Sequence, residues 1–169
     1  MNAAMRAGEN AILAVAPYTD YETARKLVVE QWGDDAFIIS GKVYPTSEMT
    51  LLGAWTPLGQ LRGLAYYKVN GSTMLLGAII TIGERAKGVG KILFDAVLAE
   101  ARTTRMRKMR ALTTNDNFEA MKFYQRCGMR FETLYPGGAD AFRAFRPGIY
   151  RNGKHGLPLR DILEFELSL

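Results

Sequence analysis

The clearest pattern of hydrophobic and polar positions lies in the middle of the chain, over residues 75–98. Residues 75–82 form a continuous apolar run rich in β-branched side chains, which is typical of a strand buried on both faces. A glycine-rich and partly basic loop, residues 83–90, follows this run. From Val89 onward, apolar residues recur at the i, i+3, i+4, i+7 and i+8 spacing of one helix face. The pattern therefore predicts a buried strand, a glycine loop and a helix N-terminus in succession.

Short apolar or alternating runs bounded by turn residues predict the other strands. These runs are residues 11–16, 50–55, 61–69, 109–114 and 161–168. Asn70 and Gly71 form a strong hairpin signal, so three antiparallel strands lead up to the glycine loop. The run at 109–114 follows a helix, which favours a parallel neighbour, and the last run alternates apolar and acidic residues like a half-exposed strand. The predicted fold class is α/β (α+β), with a mixed, mostly antiparallel central sheet flanked by helices.

Two helices begin at patterns that have the spacing of a capping box. Thr19 with Glu22 starts the first, and Asp116 with Glu119 starts the helix after the run at 109–114. Residues 34–49 have a weak pattern marked by turn residues, so they are expected to form a loop. Such a loop either covers a substrate or connects two elements at the surface, and both interpretations stay open.

Composition limits the class of protein. The 169-residue chain is 48% hydrophobic and 23% charged, which suits one globular domain with an ordinary core. Its net charge of +5 fits an acidic ligand but is too small to indicate nucleic-acid binding. One cysteine and one histidine predict neither a disulfide framework nor a zinc site. No apolar run reaches the roughly 18 residues of a membrane span, and the N-terminus lacks the core of a signal peptide. We therefore expect a cytoplasmic protein with no metal, membrane or nucleic-acid partner.

The glycine loop has the chemistry of a phosphate site. The first turn of a helix presents backbone N–H groups without intrahelical partners, and the helix dipole adds positive charge there. The dinucleotide fingerprint is absent, and Val89 stands where the nucleoside-triphosphate loop needs lysine. The remaining pattern, Arg85-x-x-Gly88-x-Gly90, predicts a pyrophosphate ligand, with a plain strand-to-helix turn as the alternative.

A second informative stretch, residues 113–130, predicts a strand end, a helix and a glycine stop. Its aromatic pair lies on one helix face, which by itself indicates core packing. The two stretches together resemble the GNAT superfamily of N-acetyltransferases, whose motifs read Q/R-x-x-G-x-G/A and N-x-x-A-x-x-F/L-Y-x-x-x-G-F/M. The residues that match these motifs are Arg85, Gly88, Gly90, Asn117, Ala120, Phe123, Tyr124, Gly128 and Met129.

The resemblance covers about residues 12–135 and implies the acetyl-CoA N-acyltransferase fold. It divides a single domain, residues 1–169, into a core over 12–135 and a C-terminal extension over 136–169 with a last strand near 161–168. The extension is similar to that of a bacterial acetyltransferase subgroup with a G-x-x-G-I/L-P-I/L-R-D tail.

The resemblance implies acetyl-CoA as co-substrate, with direct transfer of its acetyl group to a primary amine in a ternary complex. Tyr124 is the implied proton donor to the departing thiolate. A backbone N–H near Ile82 is expected to polarise the thioester oxygen. The implied cofactor-binding residues are Ile80, Thr81, Ile82, Arg85, Ala86, Lys87, Gly88, Val89, Gly90, Lys91, Asn117 and Phe123.

Two features depart from the family pattern. Ile82 stands where proline is frequent, and residues 75–82 lack the carboxylate that many relatives use as a base. Glu48, Glu84 and Glu164 remain as candidate bases, together with a water chain, and none is preferred. Cys127 has no histidine near it in sequence and is interpreted as a packing residue.

The acceptor is not named by these patterns: a small-molecule, peptide or protein amine stays open, and so does a homodimer. A CoA-binding regulatory module without turnover is the alternative function, because the proline and the strand carboxylate are missing. A nucleic-acid binder that uses the basic run 102–110 is disfavoured, because interleaved aromatic residues are absent. The aromatic residues that could line an acceptor site, with core packing as the competing fate, are Tyr18, Trp32, Tyr44, Trp55, Tyr66 and Tyr67.

Overall fold

The computed structural model describes residues 13–83 and 87–169. The strands are β1 (Ala14–Pro17), β2 (Ala36–Ile39), β3 (Lys42–Pro45), β4 (Thr50–Trp55), β5 (Leu61–Asn70), β6 (Thr73–Thr81), β7 (Lys108–Thr114), β8 (Arg130–Tyr135) and β9 (Ile162–Ser168). The helices are α1 (Tyr21–Trp32), α2 (Val89–Thr103), α3 (Phe118–Arg126) and α4 (Gly138–Arg143).

Seven strands form one sheet in the order β1-β4-β5-β6-β7-β9-β8, and β2 and β3 pair separately as a hairpin. Strands β6 and β7 run parallel, while the other neighbouring pairs in the sheet are antiparallel. Helices α2 and α3 pack on one face of the sheet, and α1 and β2 pack on the other. The mixed, mostly antiparallel sheet flanked by helices is thus confirmed, with a core layer on each face.

Strand β6 carries a β-bulge at Gly77. The pairing register with β5 shifts by one residue at this point, so Gly77 is an extra residue relative to the partner strand. A side chain does not fit there, because a Cβ would lie 2.8 Å from Met49 Cε and 2.8 Å from Phe37 Cδ2. The bulge changes which backbone groups of β6 point toward β5 and which point away.

Beyond the bulge, β6 and β7 separate. Their pairing ends at Leu76 and Ala111, although β6 continues to Thr81 and β7 to Thr114. We call this opening in the middle of the sheet the gap. One backbone edge of β6 is therefore unpaired by β7 along the gap.

The last strand differs from the prediction of a half-exposed strand. β9 lies between β7 and β8, antiparallel to both. Glu164 of β9 is completely buried, because Ser40 in the β2–β3 turn lies against it and donates a hydrogen bond of 2.8 Å to its carboxylate. The alternation of apolar and acidic residues was therefore misread as exposure, since a distant hairpin covers the acidic position.

Three local predictions were also wrong, one on a loop and two on helix caps. The stretch 34–49, expected to be a loop, contains the β2–β3 hairpin and a short 3₁₀ turn. Helix α1 is capped by Asp20 rather than Thr19, and α3 by Asn117 rather than Asp116. In each case the side chain one residue later is the one that accepts a hydrogen bond from the first turn of the helix.

Candidate active site

Among the described residues, the N-terminus of α2 carries no side-chain cap. Gly88 occupies the cap position in the left-handed conformation, with φ of 84°, and no side chain of this part of the chain accepts a hydrogen bond from the first turn. A Cβ at Gly88 would meet no described atom within 4 Å. Within residues 13–83 and 87–169, the first amides of α2, from Val89 to Lys91, are therefore available to an anion.

The rest of the glycine loop is only partly described. Arg85 and Ala86, which the resemblance implies as cofactor-binding residues, lie outside the described residues. Lys87 is exposed beside the cap. Lys91 Nζ lies 2.6 Å from Asp95 Oδ2, and this hydrogen bond raises the pKa of Lys91. The ammonium of Lys91 is thus held along α2, and its backbone amide is the group that stays available at the helix N-terminus.

Gly90 and Phe123 lie where α2 and α3 meet. A Cβ at Gly90 would be 3.5 Å from Phe123 Cε2. The Phe123 ring packs edge to face on Phe94, with centroids 5.9 Å apart, and lies 5.7 Å from the ring of Tyr124. Phe123 therefore holds α3 against α2 and places Tyr124 next to the glycine loop.

The unpaired edge of β6 presents the backbone amides of Ile79 and Thr81 to the gap. Ile82 donates its N–H to the carbonyl of Arg62 at 2.8 Å. Along an antiparallel pair of strands, the backbone groups of every second residue point toward the partner strand. The N–H of Ile80 therefore also points toward β5, and the N–H groups of Ile79 and Thr81 point toward the gap. Ile82 itself is therefore not available as a donor, and the donors that face the gap are Ile79 and Thr81. A thioester-polarising N–H near Ile82 stays a prediction, with Thr81 as the adjacent candidate.

A cavity of about 110 Å³ opens from the gap, and most of its lining is apolar. Its lining residues come from both faces of the sheet. Those from β6 and α3 include Gly77, Ile79, Asn117, Ala120 and Tyr124. Those from the end of α1, from β2 and from the C-terminal extension include Trp32, Asp34, Phe37, Ile149 and Leu159. The gap therefore connects the α2–α3 side of the sheet with the side covered by α1 and the extension.

Tyr124 lies deep in this cavity. It is 5% exposed, and its ring packs between those of Phe123 and Phe165, with centroids 5.7 and 5.3 Å away. Burial raises the pKa of Tyr124, with a smaller contribution from Cys127. Its hydroxyl has no hydrogen-bond partner in the described part of the chain. Every buried side-chain polar atom in that part has a partner, so this hydroxyl oxygen is not completely buried. The hydroxyl oxygen is therefore accessible from the cavity and free to meet a ligand.

Asn117 has a structural task in addition to lining the cavity. Its Oδ1 accepts hydrogen bonds from Ala120 N at 3.3 Å and from Lys154 Nζ at 3.2 Å. The neighbouring Asp116 accepts a hydrogen bond of 2.6 Å from Lys154 N. Asn117 thus begins α3, and the two residues tie the C-terminal extension to that helix. The role of Asn117 toward a cofactor stays a prediction.

Two of the three candidate bases can be placed, and neither lines the cavity. The side chain of Glu48 is 53% exposed and accepts a hydrogen bond of 2.8 Å from Lys68 Nζ on the surface. Glu84 lies outside the described residues.

Glu164 is a buried structural carboxylate. It accepts hydrogen bonds from Ser40 Oγ at 2.8 Å and from Tyr135 OH at 3.0 Å, and Arg110 Nη1 lies 3.1 Å away. These three groups satisfy the carboxylate, which needs no further hydrogen-bond donor. Its position explains why β7, β8, β9 and the β2–β3 turn stay together.

Within the described residues, Asp34 is the carboxylate that lines the cavity. Sequence reasoning missed it because it lies in the weakly patterned stretch 34–49. It directly follows Gly33, the left-handed C-cap of α1, and accepts a hydrogen bond of 2.8 Å from Arg146 Nε. The expectation that this stretch covers a substrate was the one available signal.

The aromatic residues considered for an acceptor site have mostly other positions. Trp32 lines the cavity, and Trp55 packs on Tyr18 with ring centroids 5.9 Å apart. The residues buried in the two core layers are Tyr18, Tyr44, Tyr66 and Tyr67.

Cys127, at the end of α3, is partly buried. Burial raises the pKa of its thiol; Lys91 opposes this shift and Asp95 adds to it. Little thiolate is then present at neutral pH. We expect iodoacetamide to label Cys127 more slowly than glutathione in the same tube, as measured by timed mass spectrometry. Equal rates would contradict the interpretation of Cys127 as a packing residue.

Two further properties concern the described ranges 13–83 and 87–169. Nowhere in them do three histidine, cysteine or carboxylate side chains come together in a way that could hold a metal ion. No helix in them is long and apolar enough to cross a membrane.

Comparison with known sequences gives one family. The model of the acetyltransferase (GNAT) family matches residues 17–129. Two relatives from Bacillus subtilis (strain 168), the uncharacterized proteins YdhI and YxbD, are 26% identical over 136 residues and 27% identical over 134 residues. These alignments cover 80% and 79% of this chain and 84% of each relative.

Comparison with solved structures gives the same fold. An IAA acetyltransferase from Bacillus cereus ATCC 14579 superposes with a TM-score of 0.72 at 16% identity, covering 94% of this chain and 100% of that one. A Bacillus subtilis acetyltransferase in complex with CoA gives 0.68 at 18% identity, covering 95% and 99%. A GNAT acetyltransferase from Elizabethkingia anophelis with acetyl-CoA bound gives 0.69 at 15% identity, covering 93% and 98%.

Proposed function

Because this chain belongs to the acetyltransferase (GNAT) family, we propose that it transfers the acetyl group of acetyl-CoA to a primary amine. Two of the structural neighbours are complexes with CoA and with acetyl-CoA. The observation that carries the proposal concerns the described residues: among them the N-terminus of α2 has no side-chain cap, and it lies beside a gap whose cavity is lined by a tyrosine without a hydrogen-bond partner.

The chain offers two sets of backbone donors to acetyl-CoA. The amides from Val89 to Lys91 suit the pyrophosphate, since they are fixed in direction and need no desolvated side-chain charge. The unpaired edge of β6, with the amides of Ile79 and Thr81, suits the extended pantetheine arm, as a peptide adds to a sheet edge. These two sites lie on consecutive elements, so one ligand can contact both. The thioester then lies in the gap, next to Tyr124.

The reaction in this site is a direct transfer. The amine nitrogen forms a bond to the acetyl carbon, and the carbon–sulfur bond breaks. The amine loses one proton as it becomes an amide, and the CoA thiolate gains one as it becomes a thiol. Holding the two reactants together supplies a large part of the rate enhancement. An amide N–H of β6 that faces the gap stabilises the charge on the carbonyl oxygen in the transition state.

Tyr124 acts on the leaving group. Tyr124 lines the cavity, and its hydroxyl has no hydrogen-bond partner among the described residues, so it can donate a hydrogen bond to the sulfur as the carbon–sulfur bond breaks. Since burial raises the pKa of Tyr124, full transfer of its proton to a thiolate is uphill. The phenol therefore stabilises the thiolate mainly by hydrogen bonding, and the proton released by the amine restores the balance.

The CoA site is tested by Gly88→Ala with Gly59→Ala as matched control. Both glycines have left-handed backbones, with φ of 84° and 76°, and at both a Cβ would meet no atom of the described residues within 4 Å. Each substitution therefore costs the same strain, about 1–2 kcal/mol. Only Gly88→Ala places a methyl group at the proposed pyrophosphate site, so we expect it alone to weaken CoA binding, by about tenfold or more.

Thermal unfolding in the presence of CoA measures this effect. For the unsubstituted chain, CoA at about 100 times its Kd adds about 2.7 kcal/mol of stability and raises Tm by roughly 5–10 °C. Equal CoA-dependent shifts for the two variants would reject the α2 site.

Transfer itself is tested by following thiol release from acetyl-CoA over a panel of primary amines, with mass spectrometry of the product amide. Stabilisation by CoA without amide formation from any amine would favour the alternative, a CoA-binding regulatory module.

A further inference from the structure

The cavity has an apolar wall on the side away from α2 and α3. We call Trp32, Phe37, Ile149 and Leu159 the outer wall. The rings of Trp32 and Phe37 pack edge to face, with centroids 6.1 Å apart. Ile149 and Leu159 belong to the C-terminal extension. A ligand that enters the gap opposite the proposed thioester position therefore meets mainly hydrocarbon.

Asp34 supplies a negative charge to this apolar cavity. Its side chain is 15% exposed, and its Oδ1 accepts a hydrogen bond of 2.8 Å from Arg146 Nε. The second oxygen, Oδ2, has no hydrogen-bond partner in the described part of the chain. Every buried side-chain polar atom in that part has such a partner, so Oδ2 is accessible. Arg146 also donates to Asp35 Oδ1 at 2.7 Å, so its charge is shared between two carboxylates. Asp34 thus keeps an acceptor oxygen for a further cationic N–H group.

The backbone fixes the outer wall in place. Gly33 and Gly148 are in contact, since a Cβ at Gly148 would lie 2.4 Å from the carbonyl oxygen of Gly33. Tyr150 N donates to the carbonyl of Trp32 at 3.2 Å. The buried Arg143 donates to the carbonyl of Tyr150 at 3.0 Å. The extension is therefore fastened to the end of α1, and the cavity has a defined size.

That size limits the ligand. The cavity of about 110 Å³ is of the order of the ~150 Å³ that holds a benzene ring in an apolar protein core. A cavity of this size suits a short alkyl chain or at most one small ring. A second charged group on the ligand would lie against the outer wall without a partner, which is unfavourable.

We propose that the acceptor is a compact primary amine with an apolar body and one positive charge. Asp34 Oδ2 binds its ammonium group, and the outer wall binds its body. One ammonium proton passes to water before the nitrogen attacks, and the second proton goes to the thiolate as the amide forms. This inference rests on the transfer reaction proposed above and adds the substrate class. Amines that carry a carboxylate are poor substrates, because Asp34 repels the carboxylate and the outer wall gives it no partner.

The test compares Asp34→Asn with Asp35→Asn. Both variants remove one carboxylate from Arg146, but Asp35 does not line the cavity. With isopentylamine as the acceptor, we expect Asp34→Asn to raise KM about tenfold or more while kcat changes less. Asp35→Asn keeps KM within about twofold of the original chain. An equal effect of the two substitutions would overturn the role of Asp34.

A neutral analogue separates recognition of charge from damage to the cavity. Isopentanol has nearly the same shape as isopentylamine and is tested as a competitive inhibitor. We expect Asp34→Asn to leave inhibition by isopentanol unchanged and to weaken the binding of isopentylamine. A parallel loss of both ligands means that the substitution disturbs the wall, and this outcome overturns the proposal.

The amine panel tests the substrate class. Isopentylamine and benzylamine are expected to exceed glutamate and spermidine in kcat/KM by about tenfold or more. A preference for glutamate or spermidine overturns the inference but leaves the transfer reaction standing. If CoA stabilises the chain and no amine is acetylated, the transfer reaction fails instead. Calorimetric titration of isopentylamine into the CoA complex then tests the amine site separately. Binding that Asp34→Asn weakens would support the site, and the absence of binding would overturn it.

Discussion

Replacement of Tyr124 by phenylalanine is expected to lower kcat by about 10²-fold, the low end of the range for the loss of one hydrogen-bond donor to developing negative charge. The substitution removes one oxygen from a side chain that otherwise packs between Phe123 and Phe165. Because the hydroxyl has no partner in the described part of the chain, its removal leaves no other polar group there unpaired. The fold and the CoA-dependent rise in Tm should therefore be unchanged, and the loss should fall on the chemical step.

Tyr67→Phe is the matched control for this experiment. Tyr67 is also a buried tyrosine in the same core layer, but it does not line the cavity. We expect it to leave kcat within about twofold of the original chain. Steady-state kinetics at saturating acetyl-CoA measure both variants. An unchanged kcat for Tyr124→Phe across the pH range would reject the proposed contact with the leaving group.

The pH dependence of kcat provides a related check. Because the pKa of Tyr124 is raised, the phenol keeps its proton well beyond the ordinary value of about 10 for tyrosine. Its hydrogen bond to the thiolate is then available from neutral pH up to that value. We expect no decrease in kcat between neutral pH and about pH 10 that depends on Tyr124. A descending limb in this range that vanishes in Tyr124→Phe would contradict the assignment.

Replacement of Glu164 by leucine is expected to lower the free energy of unfolding by about 3 kcal/mol. The change leaves the hydroxyls of Ser40 and Tyr135 without their acceptor and Arg110 with one carboxylate fewer. For a chain of this size the corresponding decrease in Tm is roughly 6–12 °C. Urea unfolding followed by circular dichroism measures the change in free energy.

Glu166→Leu is the matched control on the same strand. Its side chain is 20% exposed and pairs with Lys108 and Arg110 near the surface, so its loss should cost about 1 kcal/mol or less. Glu164→Leu is expected to keep its kcat at a temperature where it is folded. If it kept its stability but lost turnover, Glu164 would be the missing base after all.

The organisation of the central unit was predictable because it depends on near neighbours in the chain. A strand over 75–82, a glycine loop and a helix from Val89 follow from periodicities that extend over a few residues. The structure ends β6 at Thr81 and begins α2 at Val89. The hairpin at Asn70 and Gly71 joins β5 to β6 as expected.

The placement of acidic residues was not predictable in the same way. Glu48 and Glu164 are both glutamates, yet Glu48 lies on the surface and Glu164 is completely buried. The difference is made by the β2–β3 turn, whose Ser40 is 124 residues away from Glu164 in the chain. Exposure is decided by which distant segment covers a position, and local alternation contains no information about that segment.

The sequence by itself determined where an anion could bind, since a glycine loop before a helix supplies its donors locally. The tertiary structure alone decided the remainder of the candidate site. The bulge at Gly77 selects the amides of Ile79 and Thr81 as the ones that face the gap, and it exists only through pairing with β5. Asp34 lines a cavity that the C-terminal extension helps to enclose, and Arg146 of that extension donates a hydrogen bond to it. Both features depend on contacts between segments far apart in the chain. Such contacts are decided by packing and hydrogen bonding across the whole fold, and not by the preferences of a few adjacent residues.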